Sequence, residues 1–311
     1  MVTGAHGFLG RHVARCAAQQ GYTVIGIGHG GWQREEWSLW GLSQWYRCDV
    51  SLDTLNLHAQ SPEAILHCAG SGSVPFSLTD PWEDMQRTVL TTASVLEFIR
   101  KYSPATRLVY PSSAGVYGVA KHFPISEDSP TEPISPYGTH KRMAEELIVS
   151  HARNFSLHAS IVRFFSIFGV GLRKQFLWDA CGKISRNDLI FAGTGNEIRD
   201  WLHVDDAASL LVAGIRFAST QCPIVNGGTG VGTSVRDLLS HLASGLGLQK
   251  GGTSFTGASR AGDPVCYIAD IARARAWGWE PSKHWMERVD EYVLWWRNEM
   301  GLHRQTCQTE V

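Results

Sequence analysis

The sequence has almost no net charge and no long apolar run. Its 311 residues carry a formal charge of -1 at pH 7, which gives no overall attraction to nucleic acid or to an anionic membrane. No apolar run approaches the roughly 18 residues of a membrane-spanning helix, and no basic segment followed by an apolar signal core opens the chain. We therefore expect a cytoplasmic protein that binds neither nucleic acid nor membrane.

The cysteines lack any close pairing. There are seven of them, scattered and without a CxxC pair. An odd number at wide spacing indicates neither a disulfide framework nor a zinc site, so no metal is expected and the thiols are predicted to be buried or inert. They are Cys16, Cys48, Cys68, Cys181, Cys222, Cys266 and Cys307.

What the chain does contain is an alternation of short apolar runs and helical periods. Residues 23–27, 64–68, 107–110 and 160–164 are predicted strands, and residues 8–20, 82–101 and 137–155 carry apolar side chains at helical spacing. This alternation is typical of βαβ units that build a parallel sheet. The predicted fold class is α/β, with a Rossmann-type doubly wound parallel sheet.

A glycine-rich loop opens the series. Its glycines stand directly before a helical period, where a strand-to-helix turn brings backbone N–H groups and a positive dipole end to a diphosphate. Such a loop also occurs as an ordinary turn, but its position favours dinucleotide binding. Only three residues precede the first glycine, so either the first strand is stunted or the true start lies upstream. The residues assigned to the loop are Gly4, Gly7, Phe8, Leu9 and Gly10.

The second half of the chain is organised differently. Beyond residue 165 the alternation loosens, and a helix and a strand between residues 205 and 226 predict a return to the sheet. We predict a dinucleotide-binding domain at 1–165 with a return at 200–228, and a smaller, mostly C-terminal substrate-binding lobe at 166–301. Residues 302–311 are predicted to be a disordered tail. The tryptophans concentrated at 32–45 and 277–296 are assigned to packing.

The second predicted strand lacks the acid that often binds the adenosine ribose in dinucleotide domains. The strand runs instead into glycines and His29. His29 and Arg34 would meet a 2′-phosphate, which favours NADP, while a flexible glycine loop with solvated charges explains the same residues equally well. Asp49, after the presumed third strand, is positioned to accept a hydrogen bond from the adenine amino group.

A proton-transfer set is predicted further along the chain. Tyr137 and Lys141 stand four residues apart, on one face of a predicted helix. A lysine beside a tyrosine favours the phenolate, so Lys141 is predicted to lower the pKa of Tyr137 toward neutrality and make it an acid/base. Ser112 and Ser113 end a predicted strand at the carboxyl edge of the sheet, where one of them can hydrogen-bond the oxygen being oxidised.

Several segments occur together in a recognisable order. They are the glycine loop, Ser-Ser-Ala-Gly-Val-Tyr-Gly at 112–118 and Ser-Pro-Tyr-Gly-Thr-His-Lys at 135–141, followed by Arg-Phe-Phe-Ser-Ile-Phe-Gly at 163–169 and Arg-Asp-Trp-Leu-His-Val-Asp-Asp at 199–206. Together with His-Cys-Ala-Gly at 67–70, they resemble the extended short-chain dehydrogenase/reductases. Within that group the chain is most similar to the NAD-dependent epimerase/dehydratase family and its UDP-galactose 4-epimerases, up to about residue 285.

The resemblance implies roles for individual residues. Ser113 is expected to polarise the substrate hydroxyl, Tyr137 to act as the acid/base, and Lys141 to hold the nicotinamide ribose of NAD, with NADP as the alternative. The further cofactor residues are Val50, Ala69, Gly70 and Thr88. Besides Ser113, the substrate residues are Ser166, Arg199 and Arg260 toward the diphosphate, Asp263 toward the nucleoside ribose, and Tyr267 as a wall of the sugar pocket. The family often has Asn at positions 88 and 166.

The expected reaction follows from a departure after Ser113. Dehydratases of this type carry an Asp-Glu pair there, whereas this chain has Ala114 and Gly115, so a 4,6-dehydratase is not expected. The prediction is a homodimeric nucleotide-sugar 4-epimerase that oxidises and re-reduces C4 of a UDP-hexose with NAD. The alternatives are an NADPH-dependent nucleotide-4-keto-sugar reductase and a catalytically silent Rossmann-fold binding protein.

Overall fold

The computed structural model describes residues 1–248, 252–258, 265–282 and 284–301. Its strands are β1 (Val2–Thr3), β2 (Val24–Gly28), β3 (Leu42–Arg47), β4 (Ala64–His67), β5 (Arg107–Ser113), β6 (Ala159–Phe164), β7 (Ser166–Phe168), β8 (Ile190–Phe191), β9 (Ile198–His203), β10 (Ile224–Gly227), β11 (Gly232–Ser234), β12 (Ser254–Phe255) and β13 (Cys266–Tyr267). The predicted tail at 302–311 lies outside the described residues.

The helices alternate with the strands through the first half of the chain. They are α1 (Phe8–Gln19), α2 (Arg34–Leu39), α3 (Leu52–His58), α4 (Val74–Thr79), α5 (Pro81–Met85), α6 (Thr91–Tyr102), α7 (Pro136–Phe155), α8 (Gln175–Ser185), α9 (Val204–Phe217), α10 (Val235–Gly245), α11 (Ala272–Ala276) and α12 (Trp285–Glu299). A π-helical segment, Gln86–Leu90, joins α5 to α6, and a short 3-10 helix, Ala114–Val116, follows β5.

Seven of these strands form the main sheet, in the order β3-β2-β1-β4-β5-β6-β10. Every pairing in it is parallel. The strand order reverses between β1 and β4, which is the place where doubly wound sheets bind ligands at the carboxyl ends of their strands. The predicted fold class is confirmed. After α9 the chain adds β10 at the edge of this sheet.

Both faces of the main sheet are covered, because neighbouring side chains on each central strand enter different cores. On β5, Val109 packs in a core with α1 and α9, whereas Leu108 packs in a second core with α6 and α7. The same alternation on β6 places Val162 and Ile161 in the two cores. Near-continuous apolar runs are what a parallel sheet buried on both faces requires.

The first strand, Val2–Thr3, contains two residues. β1 nevertheless lies at the centre of the sheet, paired on either side with β2 and β4. The terminal amine of Met1 donates a hydrogen bond to the carbonyl oxygen of Ala64 at 2.7 Å. Burial lowers the pKa of this amine to about 5, although nearby Glu63 opposes the change.

The helix predicted at 82–101 is divided in the structure. α5 begins after Asp80, whose side chain accepts the N–H of Glu83 at 3.0 Å, and α6 begins only after the π-helical segment. The hydroxyls of Thr91 and Thr92 donate to carbonyl oxygens four residues earlier. Such side-chain bonds compete with the regular helical pattern, and π-helical turns are frequent at functional sites.

A smaller sheet forms in the second half of the chain. Strand β9 pairs with β7 and β13 in parallel and with β11 in the antiparallel direction. Helices α8, α10 and α12 pack around Trp201, Leu239 and Trp296 in a third core.

Across the described ranges, no helix is long and apolar enough to cross a membrane, and no group of His, Cys, Asp or Glu side chains is arranged to hold a metal ion. Burial raises the pKa of Cys181 and Cys222 to about 12, which keeps both thiols protonated.

A buried ion pair joins α7 to β6. The guanidinium of Arg163 donates from Nη2 to the carboxylate of Glu145 at 2.7 Å, and both side chains are almost inaccessible to water. Nη1 of Arg163 donates to the hydroxyl of Tyr117 at 3.1 Å, and that hydroxyl donates to Asn226 on β10. The network therefore fixes α7 against the edge of the sheet.

We predict that Glu145→Leu lowers the free energy of unfolding by about 3 kcal/mol, because it leaves the Arg163 charge buried without its partner. Urea unfolding gives the measurement. Glu146→Leu is the matched control, since Glu146 is its neighbour on α7 but is 64% exposed, and its loss should stay within about 0.5 kcal/mol. Equal losses in the two variants would contradict the prediction.

Candidate active site

Close packing around the start of α1 requires glycine in the loop. Gly4 adopts a positive φ of 66°, and a β-carbon there would lie 2.6 Å from the backbone nitrogen of Ala69. A β-carbon at Gly10 would lie 2.2 Å from the carbonyl oxygen of Gly4. The loop is thus pressed against both the helix and the end of β4, and no larger residue fits at either position.

The N-terminus of α1 is open toward the switch point of the sheet. Gly7 is its N-cap residue, no side chain caps the first turn, and that turn contains no acidic residue. Phe8, Leu9 and Gly10 form the turn, so their N–H groups and the positive end of the helix dipole are available to an anion. The site therefore fits the diphosphate of a dinucleotide.

The end of β2 differs from what a 2′-phosphate site requires. His29 forms an ion pair through Nε2 with Oδ1 of Asp49, and both side chains are about four-fifths exposed. Arg34, the first residue of α2, is also exposed. Because the Asp49 carboxylate offsets any positive charge on His29, the pair does not supply the net positive charge that would favour NADP over NAD. Val50, the residue that follows Asp49, has a buried side chain.

Aromatic residues at the rim of this loop were not predicted as part of the site. The ring of His6 lies 4.7 Å from that of Trp32, and the Trp32 ring lies 5.4 Å from that of Trp45. A β-carbon at Gly30 would lie 2.5 Å from the His6 ring. Trp32 and Trp45 pack against each other, and Trp32 packs against His6, at the predicted adenosine end of the cofactor site. Their density in the sequence was the available signal.

Ser113 and Tyr137 meet where β5 ends and α7 begins. The Oγ of Ser113 accepts the N–H of Gly115 at 3.1 Å, and the Oγ of Ser135 caps α7 by accepting the N–H of Gly138 at 3.1 Å. A β-carbon at Gly138 would lie 2.5 Å from the carbonyl oxygen of Gly115. This close approach brings Ser113 and the Tyr137 ring together around Gly115, where a β-carbon would lie 3.4 Å from Oγ of Ser113 and 3.6 Å from the Tyr137 ring.

Lys141 lies one turn further along α7 and is buried. Its Nζ donates to the carbonyl oxygen of Pro111 at 3.0 Å and lies 4.8 Å from the centre of the Tyr110 ring. Burial lowers the pKa of the ammonium to about 8, while the acidic groups around it oppose the change. Lys141 is therefore charged at neutral pH at a cost in stability.

The pKa of Tyr137 moves in the opposite direction from the prediction. Burial raises it above the ordinary value, the nearby Ser113 hydroxyl lowers it in part, and the negative charge of Asp84 raises it further. Lys141 does not reverse this, because its ammonium is directed at the carbonyl of Pro111. The prediction that Lys141 brings the pKa of Tyr137 toward neutrality is therefore wrong for this structure.

Lys141 also connects the catalytic centre with the cofactor loop. Ala69 lies against Gly4, and a β-carbon at the next residue, Gly70, would contact Nζ of Lys141 at 4.0 Å and the hydroxyl of Thr88 at 3.9 Å. Thr88 itself is buried in the π-helical segment. These predicted cofactor residues are thus brought together at the end of β4, beside Lys141.

Part of the predicted substrate side lies next to the catalytic segment. The hydroxyl of Tyr267 donates to the carbonyl oxygen of Gly118 at 2.6 Å, and the guanidinium of Arg199 lies 6.0 Å from the Tyr267 ring. Ser166 begins β7 and is paired with β9, the strand that carries Arg199. Arg260 and Asp263 lie outside the described residues.

These features define a class. A doubly wound sheet with an open phosphate loop, and a Ser-Tyr-Lys set at its carboxyl edge, is the arrangement of an extended short-chain dehydrogenase/reductase. The model of the NAD dependent epimerase/dehydratase family matches residues 1–226. The chain belongs to this family, whose cofactor, NAD, fits the glycine loop and the open N-terminus of α1.

Individual relatives are similar over nearly the whole chain. A putative UDP-glucose 4-epimerase of Methanocaldococcus jannaschii is 29% identical over 96% of this chain and 98% of its own length, and the UDP-glucose 4-epimerase of Azospirillum brasilense is 27% identical over 96% and 92%. Among solved structures, UDP-glucose 4-epimerase from Thermotoga maritima with UDP-glucose gives a TM-score of 0.85 at 26% identity, covering 96% of this chain and 98% of that one. MoeE5 in complex with UDP-glucose and NAD gives 0.84 at 26% identity with the same coverage.

We predict that Lys141→Met stabilises the protein at pH 7 by on the order of 1 to 3 kcal/mol while it impairs the site. The native lysine has a pKa of about 8, so below pH 8 the folded state carries a buried charge. Between about pH 8 and 10.5 the unfolded state binds more protons than the folded state, and native stability rises with pH. The advantage of the methionine variant should therefore shrink across that range.

Thermal unfolding measured from pH 7 to 10 checks this expectation. Lys101→Met is the control, because Lys101 is 45% exposed and pairs with Glu97 on α6. The control should show no stabilisation that fades with pH. An advantage of Lys141→Met that stays constant across the range would contradict a buried-charge origin.

Proposed function

We propose that the protein is a nucleotide-sugar 4-epimerase that interconverts UDP-hexoses by oxidation and re-reduction at C4. The observation that carries the proposal is the meeting of Ser113 and the Tyr137 ring around Gly115, beside a buried Lys141 and next to the open phosphate loop. The similar proteins named UDP-glucose 4-epimerase, and the similar structures bound to UDP-sugars and NAD, support this substrate class.

Each residue has a defined task in this reaction. Bound NAD supplies the hydride chemistry. Ser113 holds the C4 oxygen by a hydrogen bond, and Tyr137 removes the proton of that hydroxyl and later returns it. Lys141, one helical turn away, is assigned to hold the nicotinamide ribose of the cofactor, as the resemblance implies. Because oxidation and re-reduction are both catalysed by the same groups, the cofactor returns to its starting state.

On the substrate side, Arg199 is proposed to bind the diphosphate and Tyr267 to bound the sugar pocket, with Arg260, Asp263 and Ser166 completing it as predicted from the resemblance. The homodimer and the cytoplasmic location stay predictions of the sequence.

A reductase that uses NADPH once is the second candidate, because no carboxylate ends β2. The His29–Asp49 pair argues against it, since it brings no net positive charge to a 2′-phosphate. A mass spectrum of the denatured purified protein distinguishes the two. Bound NAD that survives turnover supports the epimerase, whereas stoichiometric consumption of NADPH with a 4-keto sugar supports the reductase.

The direct test of the proposal is the conversion of UDP-glucose to UDP-galactose by the native protein and by Tyr137→Phe. We predict that the substitution lowers kcat by at least about a hundredfold, because it removes the transferable proton and leaves the ring to pack. Substrate affinity should change little. Tyr102→Phe, at an exposed position on α6, is the control and should turn over normally. Near-native turnover by Tyr137→Phe would exclude Tyr137 from the mechanism.

We predict that Tyr267 sets the accepted size of the sugar. Its ring lies against the catalytic segment through the Gly118 hydrogen bond and packs 6.0 Å from the ring of Phe165. An N-acetyl group would crowd this wall at a cost of roughly 1 to 3 kcal/mol. The native enzyme should therefore have a higher kcat/KM for UDP-glucose than for UDP-N-acetylglucosamine.

Tyr267→Cys should move this ratio toward the acetylated sugar, because it opens the wall. Tyr267→Phe keeps the ring and loses the hydrogen bond to Gly118, so its ratio should stay close to the native one. If Tyr267→Cys leaves the ratio unchanged, or if the native enzyme already prefers the acetylated sugar, Tyr267 does not limit the pocket.

A further inference from the structure

A buried acid and a histidine lie behind the catalytic face of α7. Asp84, on α5, is completely buried, and its Oδ2 accepts a hydrogen bond from Nδ1 of His140 at 2.6 Å. The other oxygen, Oδ1, is also buried and has no hydrogen-bond partner among the described residues. A buried carboxylate oxygen left unsatisfied is destabilising, so this arrangement calls for a role other than stability.

The position of the pair connects it to both catalytic groups. His140 directly precedes Lys141 and follows Tyr137 by three residues, so it lies within the same two turns of α7. Asp84 is separated from the π-helical segment by one residue. The hydroxyl of Thr88, in that segment, and Nζ of Lys141 both lie close to Gly70. Asp84 therefore contacts α7, the helix that carries Lys141, and lies next to the π-helical segment that approaches the same lysine.

The charges that face Lys141 single out Asp84. The acidic groups among its neighbours are Asp84 on α5 and Glu145 on α7, and the ring of Tyr110 on β5 lies under the ammonium. Burial keeps the other two titratable neighbours neutral, since it raises the pKa of Cys68 to about 12 and lowers that of His67 to about 3. The Glu145 carboxylate is neutralised by Arg163.

Among the described residues, Asp84 has only His140 as a hydrogen-bond partner, so more of its negative charge acts on its surroundings. That charge raises the pKa of Lys141, against the larger lowering effect of burial, and adds to the burial effect that raises the pKa of Tyr137. Ser113 and Tyr110 are the other polar groups at Tyr137.

We propose that Asp84, held in place by His140, is a positioning residue that sets the protonation states of Tyr137 and Lys141. Its carboxylate keeps the buried lysine charged, and it keeps the tyrosine a weak enough acid to return its proton to the sugar oxygen. The kinetic part of this inference rests on the proposed 4-epimerase function, whereas the electrostatic part does not.

The electrostatic part is tested by following the 13C resonance of the Lys141 side chain with pH, assigned by its loss in Lys141→Met. Native Lys141 should titrate near pH 8. In Asp84→Asn the titration should move to lower pH by about one unit, since an adjacent opposite charge is removed. Glu83→Gln is the matched control, because Glu83 also lies on α5 but is 37% exposed and pairs with Arg87. In this variant Lys141 should titrate at the same pH as in the native protein.

The kinetic part is tested by the pH dependence of kcat/KM for UDP-glucose. Asp84→Asn should shift both limbs of the profile to lower pH, because the pKa values of Tyr137 and Lys141 fall together. A residue with only a structural role would lower activity at every pH without displacing the limbs. If no epimerisation occurs at all, the proposed function fails and the lysine titration still decides the role of Asp84.

A second variant protects the test against misfolding. Replacing Asp84 and His140 together by leucine removes the pair without leaving either group unpaired, a change that buried ion pairs often tolerate. Lys141 should again titrate at lower pH than in the native protein. An unchanged titration in this variant or in folded Asp84→Asn would overturn the proposal.

Discussion

The site depends on one steric contact, the approach of the first turn of α7 to the turn that follows β5. The space between Gly138 and the carbonyl of Gly115 does not admit a β-carbon. Because that gap is closed, Tyr137 reaches Ser113 on β5, and Lys141 reaches the backbone of the same strand at Pro111. Two elements distant in sequence thereby become one rigid surface at the carboxyl edge of the sheet, which is what preorganised proton transfer needs.

That surface is assembled from groups that reduce stability. The ammonium of Lys141 and the carboxylate of Asp84 are both buried, and one oxygen of Asp84 lacks a partner among the described residues. Neither arrangement is what a fold selected for stability alone would keep. The offsetting support comes from the cores on both faces of the sheet and from the Glu145–Arg163 pair, which fixes the same helix at its other side.

Local features of the chain were predictable from the sequence, whereas contacts between distant segments were not. The strands and the glycine loop were predictable because apolar runs and glycine spacing are local properties of the chain. The interruption of the helix at 86–90 was not, because it results from threonine hydroxyls bonding to their own helix. The pairing of His29 with Asp49 joins the ends of two neighbouring strands, and no local pattern announces it. His140 stood inside a recognised segment, but its partner lies 56 residues earlier in the sequence.

The sequence by itself determined the class of fold, the phosphate loop and the choice of Ser113, Tyr137 and Lys141 as the predicted proton-transfer set. Each of these depends on residues that are close together along the chain. Only the tertiary structure decided how those groups ionise. Burial and the carboxylate of Asp84 raise the pKa of Tyr137, and burial lowers that of Lys141 to about 8. Desolvation and Coulomb interactions depend on distances between elements, and these exist only once α5, α7 and β5 have packed together.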